Sequence, residues 1–364
     1  MNKRHAGNTR IKRDYFDYLK GPRRQSEKSI DAAAKVLARF EDYTRNKDFR
    51  TFRKEQATGF VGHLQKQVGQ RTGKPLSRAT LLSTLKALEA FFTWLSQQQG
   101  FKSRFSYLDA EYFALSRKET AIAQAPRARP IPSIEQIRHV ILSMPSATDI
   151  EKRDRALLAL AIMSGARADA LASLRLKHVD LPANSIQQDA RDVRTKFSKT
   201  IETTLVPLGD DILAIFRSWV EQLRHDLLWG PDDPLFPKTR VACGAGRRFE
   251  ASGLERAGWR NSAAIRAIFR KAFAATGVPY HHPHSFRHAL TRYADAFCVT
   301  KEEQKAFSQN LGHSSIVTTA TCYGEVPAER RRELIRNLHK KPAADNAKLA
   351  RALALIESLE AGRV

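Results

Sequence analysis

Apolar residues recur at helical spacing through the first third of the chain. Ile30, Ala33, Ala34, Leu37 and Phe40 line one face of a helix that begins at Ser26. Leu81, Leu82, Leu85, Leu88, Phe91, Phe92 and Leu95 repeat the i, i+3/i+4, i+7 rhythm over a second helix, residues 76–98, which Gly100 closes. Residues 25–120 therefore read as a small all-helical domain. Ahead of it, residues 1–24 carry Lys3, Arg4, Arg10, Lys12, Arg13, Lys20, Arg23 and Arg24 against only Asp14 and Asp17. That segment reads as a mobile basic arm or a short first helix whose Tyr15, Phe16, Tyr18 and Leu19 could pack.

The prolines of residues 121–132 interrupt the periodicity and predict an extended linker. Ser133 with Gln136, and Thr148 with Glu151, then have the spacing of capping boxes, so two helices open there. The second runs through Leu157, Leu158, Leu160, Ala161 and Ile162 to Gly165. Over residues 191–207 the rhythm changes to alternation: Val193, Thr195 and Phe197, then Ile201, Thr203 and Leu205. This predicts a hairpin that turns at Ser198, Lys199 and Thr200 and ends at Pro207, which has no N–H to donate. Helices resume at 210–228 and 262–275. The Gly- and Arg-rich segment 238–260 between them reads as a loop. A second, larger domain is expected over 133–343. In the tail, 344–364, Leu349, Leu353 and Ile356 mark a helix that needs a docking partner, its own domain or a neighbouring protomer.

With 364 residues the chain can hold about two domains. At 42% hydrophobic and 27% charged it has the composition of a globular protein. It contains no apolar run of about 18 residues, the length of a membrane span. The basic residues 1–5 lack the apolar stretch of a secretory signal, so the expected location is cytoplasmic, on the nucleoid. Lysine and arginine number 62 against 38 acidic residues, a formal charge of +24. Self-repulsion at that charge calls for a polyanionic partner, and nucleic acid fits best because phosphate contacts release counterions. A membrane surface fits less well, for want of a strongly basic amphipathic helix with bulky apolar anchors. Cys243, Cys298 and Cys322 form no C-x-x-C pair, so neither a disulfide framework nor a zinc ribbon is indicated.

Three clusters in the second domain carry candidate chemistry. The first is Ser164-Gly165-Ala166-Arg167, followed by the turn from Leu176 to Asp180. The second is Pro283-His284-Ser285-Phe286-Arg287-His288, where His284 and Arg287 fall one helical turn apart if Pro283 opens the helix. The third is Leu311-Gly312-His313-Ser314-Ser315 with Tyr323 ten positions after His313. Singly, each has an ordinary structural explanation: a surface arginine, a solvated helix face, a histidine beside an N-cap, a half-buried tyrosine.

Taken in order, Arg167, a hairpin lysine, H-x-x-R, L-G-H-S-S and then Tyr323, the layout resembles the tyrosine recombinases, the phage-integrase family of site-specific DNA recombinases. The resemblance covers residues 133 to about 338, and residues 79–95 are similar to the family's core-binding domain. It implies a mainly α fold with a small β-sheet or hairpin, an all-helical core-binding domain and a mixed α/β catalytic domain. Tyr323 would be the nucleophile that forms a 3′-phosphotyrosine, while Arg167 and Arg287 clamp the non-bridging oxygens. By family spacing, eight residues before the hairpin's closing proline, Lys199 would be the general acid, with Lys196 the second choice. His284 would accept the tyrosine proton and His313 would donate a hydrogen bond to the phosphate. No metal, nucleotide or other cofactor is implied.

The implied partners are double-stranded DNA, three further copies of the chain in a tetramer on paired sites, and accessory DNA-bending or partner recombinase proteins. The two domains would form a clamp around the duplex. Two departures stand out: Ala170 occupies a position where the family carries an acid, with Asp169 beside it, and the His313–Tyr323 interval is one residue longer than usual. A type IB topoisomerase uses the same residues and chemistry, and a decayed architectural DNA-binding protein would keep only the charge. Metal binding by His281, His282, His284 and His288 is disfavoured, since no carboxylate or cysteine completes the set.

Overall fold

Phenylalanine fills the first of two cores. The structure is a computed structural model that describes residues 5–69, 73–125, 130–243, 248–298 and 300–313. It divides into two units, Met1–Arg127 and Ala128–Val364. The first contains helices α1 (Ala6–Lys20), α2 (Glu27–Tyr43), α3 (Lys54–Lys66), α4 (Arg78–Ser96), α5 (Tyr107–Ala110) and α6 (Arg117–Gln124). Ser26 and Ser77 cap α2 and α4, each side chain accepting from the third residue on. The predicted stripe of α4 is buried apart from Leu82, which packs at its edge. Phe52 stacks on Phe92 with ring centroids 3.9 Å apart, and Phe40 meets Phe60, Phe92 and Phe113 edge-on.

Of the two readings of the N-terminal segment, the arm and the short first helix, the structure has the helix, over Ala6–Lys20. Helix α1 buries Tyr15 and Leu19, and the Tyr15 ring lies 5.0 Å from both Phe91 and Trp94. Asn8 is fully buried: it donates to the Lys47 carbonyl at 2.9 Å and accepts from the Phe49 amide at 3.0 Å. Lys12 reaches the buried Glu41 carboxylate. The apolar residues set among the basic ones need a core, and that requirement prevails over the charge. Helix α3 has no counterpart in the sequence reading, and α6 extends into the stretch expected to be an extended linker.

The second unit contains α7 (Ile134–Leu142), α8 (Asp149–Ser164), α9 (Ala168–Leu171), β1 (Val179–Asp180), β2 (Ser185–Gln188), β3 (Ile201–Thr204) and α10 (Asp210–Glu221). Strands β4 (Pro237–Cys243) and β5 (Phe249–Gly258) follow, then α11 (Ala263–Ala274), α12 (Pro283–Phe297) and α13 (Lys301–Asn310). Both predicted capping boxes form, at Ser133 and Thr148. Every residue of α8 from Ala156 to Ser164 is buried, so this helix is the axis of the unit, with α7, α10 and α12 packed on it. Among the described residues, no helix is long and apolar enough to cross a membrane.

Two strand expectations need correction. The partner of β3 is β2, not residues 193–197: the antiparallel register is Ile186↔Thr203 and Gln188↔Ile201, within the order β1-β2-β3. Val193 is drawn into the core by a turn in which its amide donates to the Asp189 carbonyl at 2.7 Å. Phe197, in contrast, is 78% exposed with φ 62°. The alternation there reflects one buried residue in a turn rather than a pleated face.

The Gly- and Arg-rich segment, expected to be a loop, is an antiparallel ribbon of β4 and β5 with irregularities after Pro237 and Arg240. Its largely exposed strands gave no apolar alternation to read. The buried Arg153 of α8 anchors its base. It donates to the Pro237 carbonyl at 2.8 Å and Thr239 Oγ1 at 3.0 Å, pairs with Asp154 at 2.7 Å, and lies 5.3 Å from the Trp259 ring centre. Tyr323 and the amphipathic tail lie outside the described residues, as do Ser314 and Ser315.

Candidate active site

Helix α8 stops at Gly165, whose φ of 59° is left-handed. A side chain there would also meet its neighbours, since a Cβ would lie 2.7 Å from Leu311 Cδ2 and 3.1 Å from Leu290 Cδ1. Glycine is therefore required twice, for its φ and for its lack of volume. The turn sets Arg167 at the N-cap of α9, where its carbonyl accepts from the Leu171 amide at 2.9 Å.

Pro283 opens α12, as its missing N–H and fixed φ allow. One turn later Arg287 is 3% exposed. A buried guanidinium must have its donors satisfied. Nη1 donates to the Gly165 carbonyl at 3.0 Å, and Nη2 donates to the Leu311 carbonyl and lies 2.7 Å from His313 Nε2. Guanidinium has no acceptor, so His313 Nε2 receives and the imidazole proton sits on Nδ1. Arg287 thus ties together the ends of α8 and α13.

The charges around this junction are the sequence-predicted ones. Burial pushes the His313 pKa down to about 4, reinforced by Arg287, Arg167 and Lys199. His284 is also lowered to about 4, first by desolvation and then by His288, Arg287, His282 and Arg167. His284 is exposed on α12, and its ring lies 4.6 Å, centre to centre, from the His288 ring. Arg167, Arg287 and Lys199 thus bear on His313, and Arg167 and Arg287 bear on His284 as well; Tyr323 falls outside the described residues.

Lys199 and Lys196 differ in their surroundings. Lys199 is half-buried and its charge bears on His313. Lys196 is exposed and its Nζ lies 4.7 Å from the centre of the Phe197 ring. The loop before Lys199 is tied to the Arg167 turn by Ser173, a residue the sequence did not single out. Its Oγ accepts from the Arg194 amide at 2.9 Å and donates to the Asp169 carbonyl at 3.0 Å. Ala170, at the position expected to be acidic, is buried in the core. No three His, Cys, Asp or Glu side chains among the described residues converge in a metal-binding group.

The phage integrase family model matches residues 134–330, and that of the phage integrase N-terminal SAM-like domain matches residues 13–99. A helical first unit and a helix-rich second unit bearing this arginine–histidine centre are thus those of a tyrosine-type site-specific recombinase, an enzyme that cleaves and rejoins DNA. The chain belongs to the phage integrase family. Tyrosine recombinase XerC of Natranaerobius thermophilus is 24% identical over 330 residues, covering 90% of this chain and 98% of that protein. XerC of Xylella fastidiosa is 25% identical over 317 residues, 85% and 90% of the two chains. Among solved structures, a lambda integrase(75-356) dimer bound to a COC′ core site covers 88% of this chain and 96% of that one, with TM-score 0.59 and 13% identity. XerH bound to difH substrate covers 86% and 80%, with TM-score 0.54 and 14% identity.

Proposed function

We propose that the chain cuts one DNA strand at a time through a 3′-phosphotyrosine on Tyr323 and passes it to a second duplex. The observation that carries this reading is the Arg287–His313 junction, on which the charges of Arg167 and Lys199 also bear. A phosphodiester resists attack because its charge repels nucleophiles and its alkoxide leaves poorly. Arg167 and Arg287 offset the charge on the non-bridging oxygens as it grows in the transition state. Tyr323 oxygen bonds to phosphorus as the bond to the 5′-oxygen breaks. Lys199 gives that oxygen a proton, and the tyrosine proton passes to His284, which is neutral at pH 7 and holds a lone pair. His313, also neutral, directs its Nδ1 proton to the phosphate. The phosphotyrosine keeps the bond energy, so a 5′-hydroxyl from the second duplex reverses the step without a nucleotide.

Both units contact the duplex in this reading, four chains assemble on paired sites, and the work is done in the cytoplasm on the nucleoid. The DNA-bound lambda integrase and XerH structures, alike in fold, support DNA as partner. The test uses duplex sites selected for binding from a random library and nicked so that the released fragment, which bears the new 5′-hydroxyl, diffuses away. Wild type should form a protein–DNA adduct that survives denaturant, and Tyr323→Phe should form none. An adduct with Tyr323→Phe overturns the nucleophile; none with wild type overturns the reaction.

A further inference from the structure

Helix α13 ends at Asn310, directly before the Leu311-Gly312-His313 turn. Its side-chain amide lies edge-on to the backbone of β3. The Thr204 amide donates to Asn310 Oδ1 at 2.7 Å, and Asn310 Nδ2 donates to the Thr204 carbonyl at 2.9 Å. The Asn310 backbone carbonyl accepts from Thr203 Oγ1 at 3.1 Å, and that hydroxyl accepts from Gln188 Nε2 of β2 at 2.9 Å.

A carboxamide offers an acceptor and a donor on one edge, as a peptide group does. Strand β3 lies at the edge of the sheet described, with β2 on its other side. Asn310 therefore supplies at one residue the pairing that another strand would give. The contact beside it is equally constrained. Gly312 has φ +71°, and a Cβ there would collide with the Ile201 side chain. Lys199 lies just ahead of β3 and His313 just beyond α13, so both are held by the segments that meet here.

We propose that Asn310 is a positioning residue that holds the Lys199 strand against the His313 turn and so aims the Lys199 ammonium at the leaving 5′-oxygen. This rests on Lys199 being the proton donor, and the test separates the two statements. A site with sulfur in place of the bridging 5′-oxygen releases a thiolate, which leaves without needing a proton. Asn310→Ala removes both bonds to Thr204. Asn310→Asp keeps the shape but sets a carboxylate oxygen against the Thr204 carbonyl. Each variant, with near-ultraviolet circular dichroism checking its fold, is compared with wild type and Lys199→Ala on oxygen and sulfur sites.

Cleavage of the oxygen site should fall about 10- to 100-fold in both Asn310 variants, part of what a positioned acid contributes. Cleavage of the sulfur site should stay within about threefold of wild type, since no proton is required there. An equal loss on both sites, or on neither, overturns the proposal whatever its cause. If sulfur restores Lys199→Ala but not the Asn310 variants, positioning alone is refuted. If sulfur fails to restore Lys199→Ala, the proton-donor reading falls and takes the proposal with it.

Discussion

Arg287 and His313 meet at 2.7 Å between Nη2 and Nε2, across 26 residues of chain. The same guanidinium donates to the Gly165 and Leu311 carbonyls. One side chain therefore satisfies two buried backbone groups, selects a histidine tautomer and sets a positive charge beside His313. Arg287→Lys keeps the charge but offers one compact ammonium for contacts that point in several directions. Cleavage by Arg287→Lys should drop by about 100-fold or more, the cost of losing a preorganised donor in such sites. Binding to a selected DNA site, read by mobility shift, should change far less.

Gly165→Ala should act at the same junction through the backbone. A left-handed alanine is strained, and its Cβ would press on Leu311 and Leu290. The expected loss of stability is about 2 kcal/mol or more, read from denaturant midpoints. Leu311→Ala in the same chain should relieve the steric part and leave the φ penalty. If the double variant loses the full sum of the Gly165→Ala and Leu311→Ala losses, the steric account is wrong.

The titration of His313 has a direction that can be worked out. An unfolded histidine titrates near 6.5, whereas in the fold His313 is pushed down to about 4. As pH falls below about 6.5 the unfolded chain takes up the proton first, so the fold loses stability, and the loss is complete near pH 4. His284 acts in the same direction. Denaturant midpoints measured between pH 7 and 5 should therefore fall less steeply in His313→Gln than in wild type. Parallel slopes for the two proteins would show that His313 is not depressed.

The candidate residues were legible in the sequence for a specific reason: the chemistry needs particular side-chain types, and a shared fold keeps their order along the chain. Helices with one-sided apolar faces were equally readable, as in α2 and α4. What failed to show was structure whose signal lies in hydrogen bonds rather than periodicity. The β4–β5 ribbon is mostly exposed, so nothing in its apolar spacing distinguishes it from a loop. Val193 to Phe197 alternates without being a strand because a turn at Asp189 buries Val193 and leaves Phe197 in water. Ser173 and Asn310 are ordinary polar residues in sequence; only distant partners, Arg194 and Thr204, give them a role.

The two lysines of the 189–200 connection should separate cleanly. Lys199 is half-buried with its charge on His313, whereas Lys196 rests over the exposed Phe197 ring. Lys199→Ala should cut strand cleavage by about 100-fold or more, the usual contribution of a general acid. Lys196→Ala should stay within about tenfold of wild type and lose part of its DNA affinity at low salt, as one fewer phosphate contact predicts. The reverse pattern in single-turnover cleavage would move the acid to Lys196.

Arg153 and Asp154 give the last prediction, about the fold that carries the site. Arg153 is buried and holds Asp154, the Pro237 carbonyl and Thr239, while desolvation by burial raises the Asp154 pKa despite the adjacent guanidinium. Removing only the arginine leaves a buried carboxyl without that partner and frees the base of the β4–β5 ribbon. Arg153→Met should therefore cost about 3–5 kcal/mol, as for other buried pairs broken on one side. Adding Asp154→Leu removes the stranded acid, and the double variant should recover much of that loss, because a buried pair is close to neutral against well-packed apolar residues. Urea unfolding of the three proteins measures both numbers. A double variant no more stable than Arg153→Met would mean that the arginine's value lies in its bonds to Pro237 and Thr239 rather than in its charge.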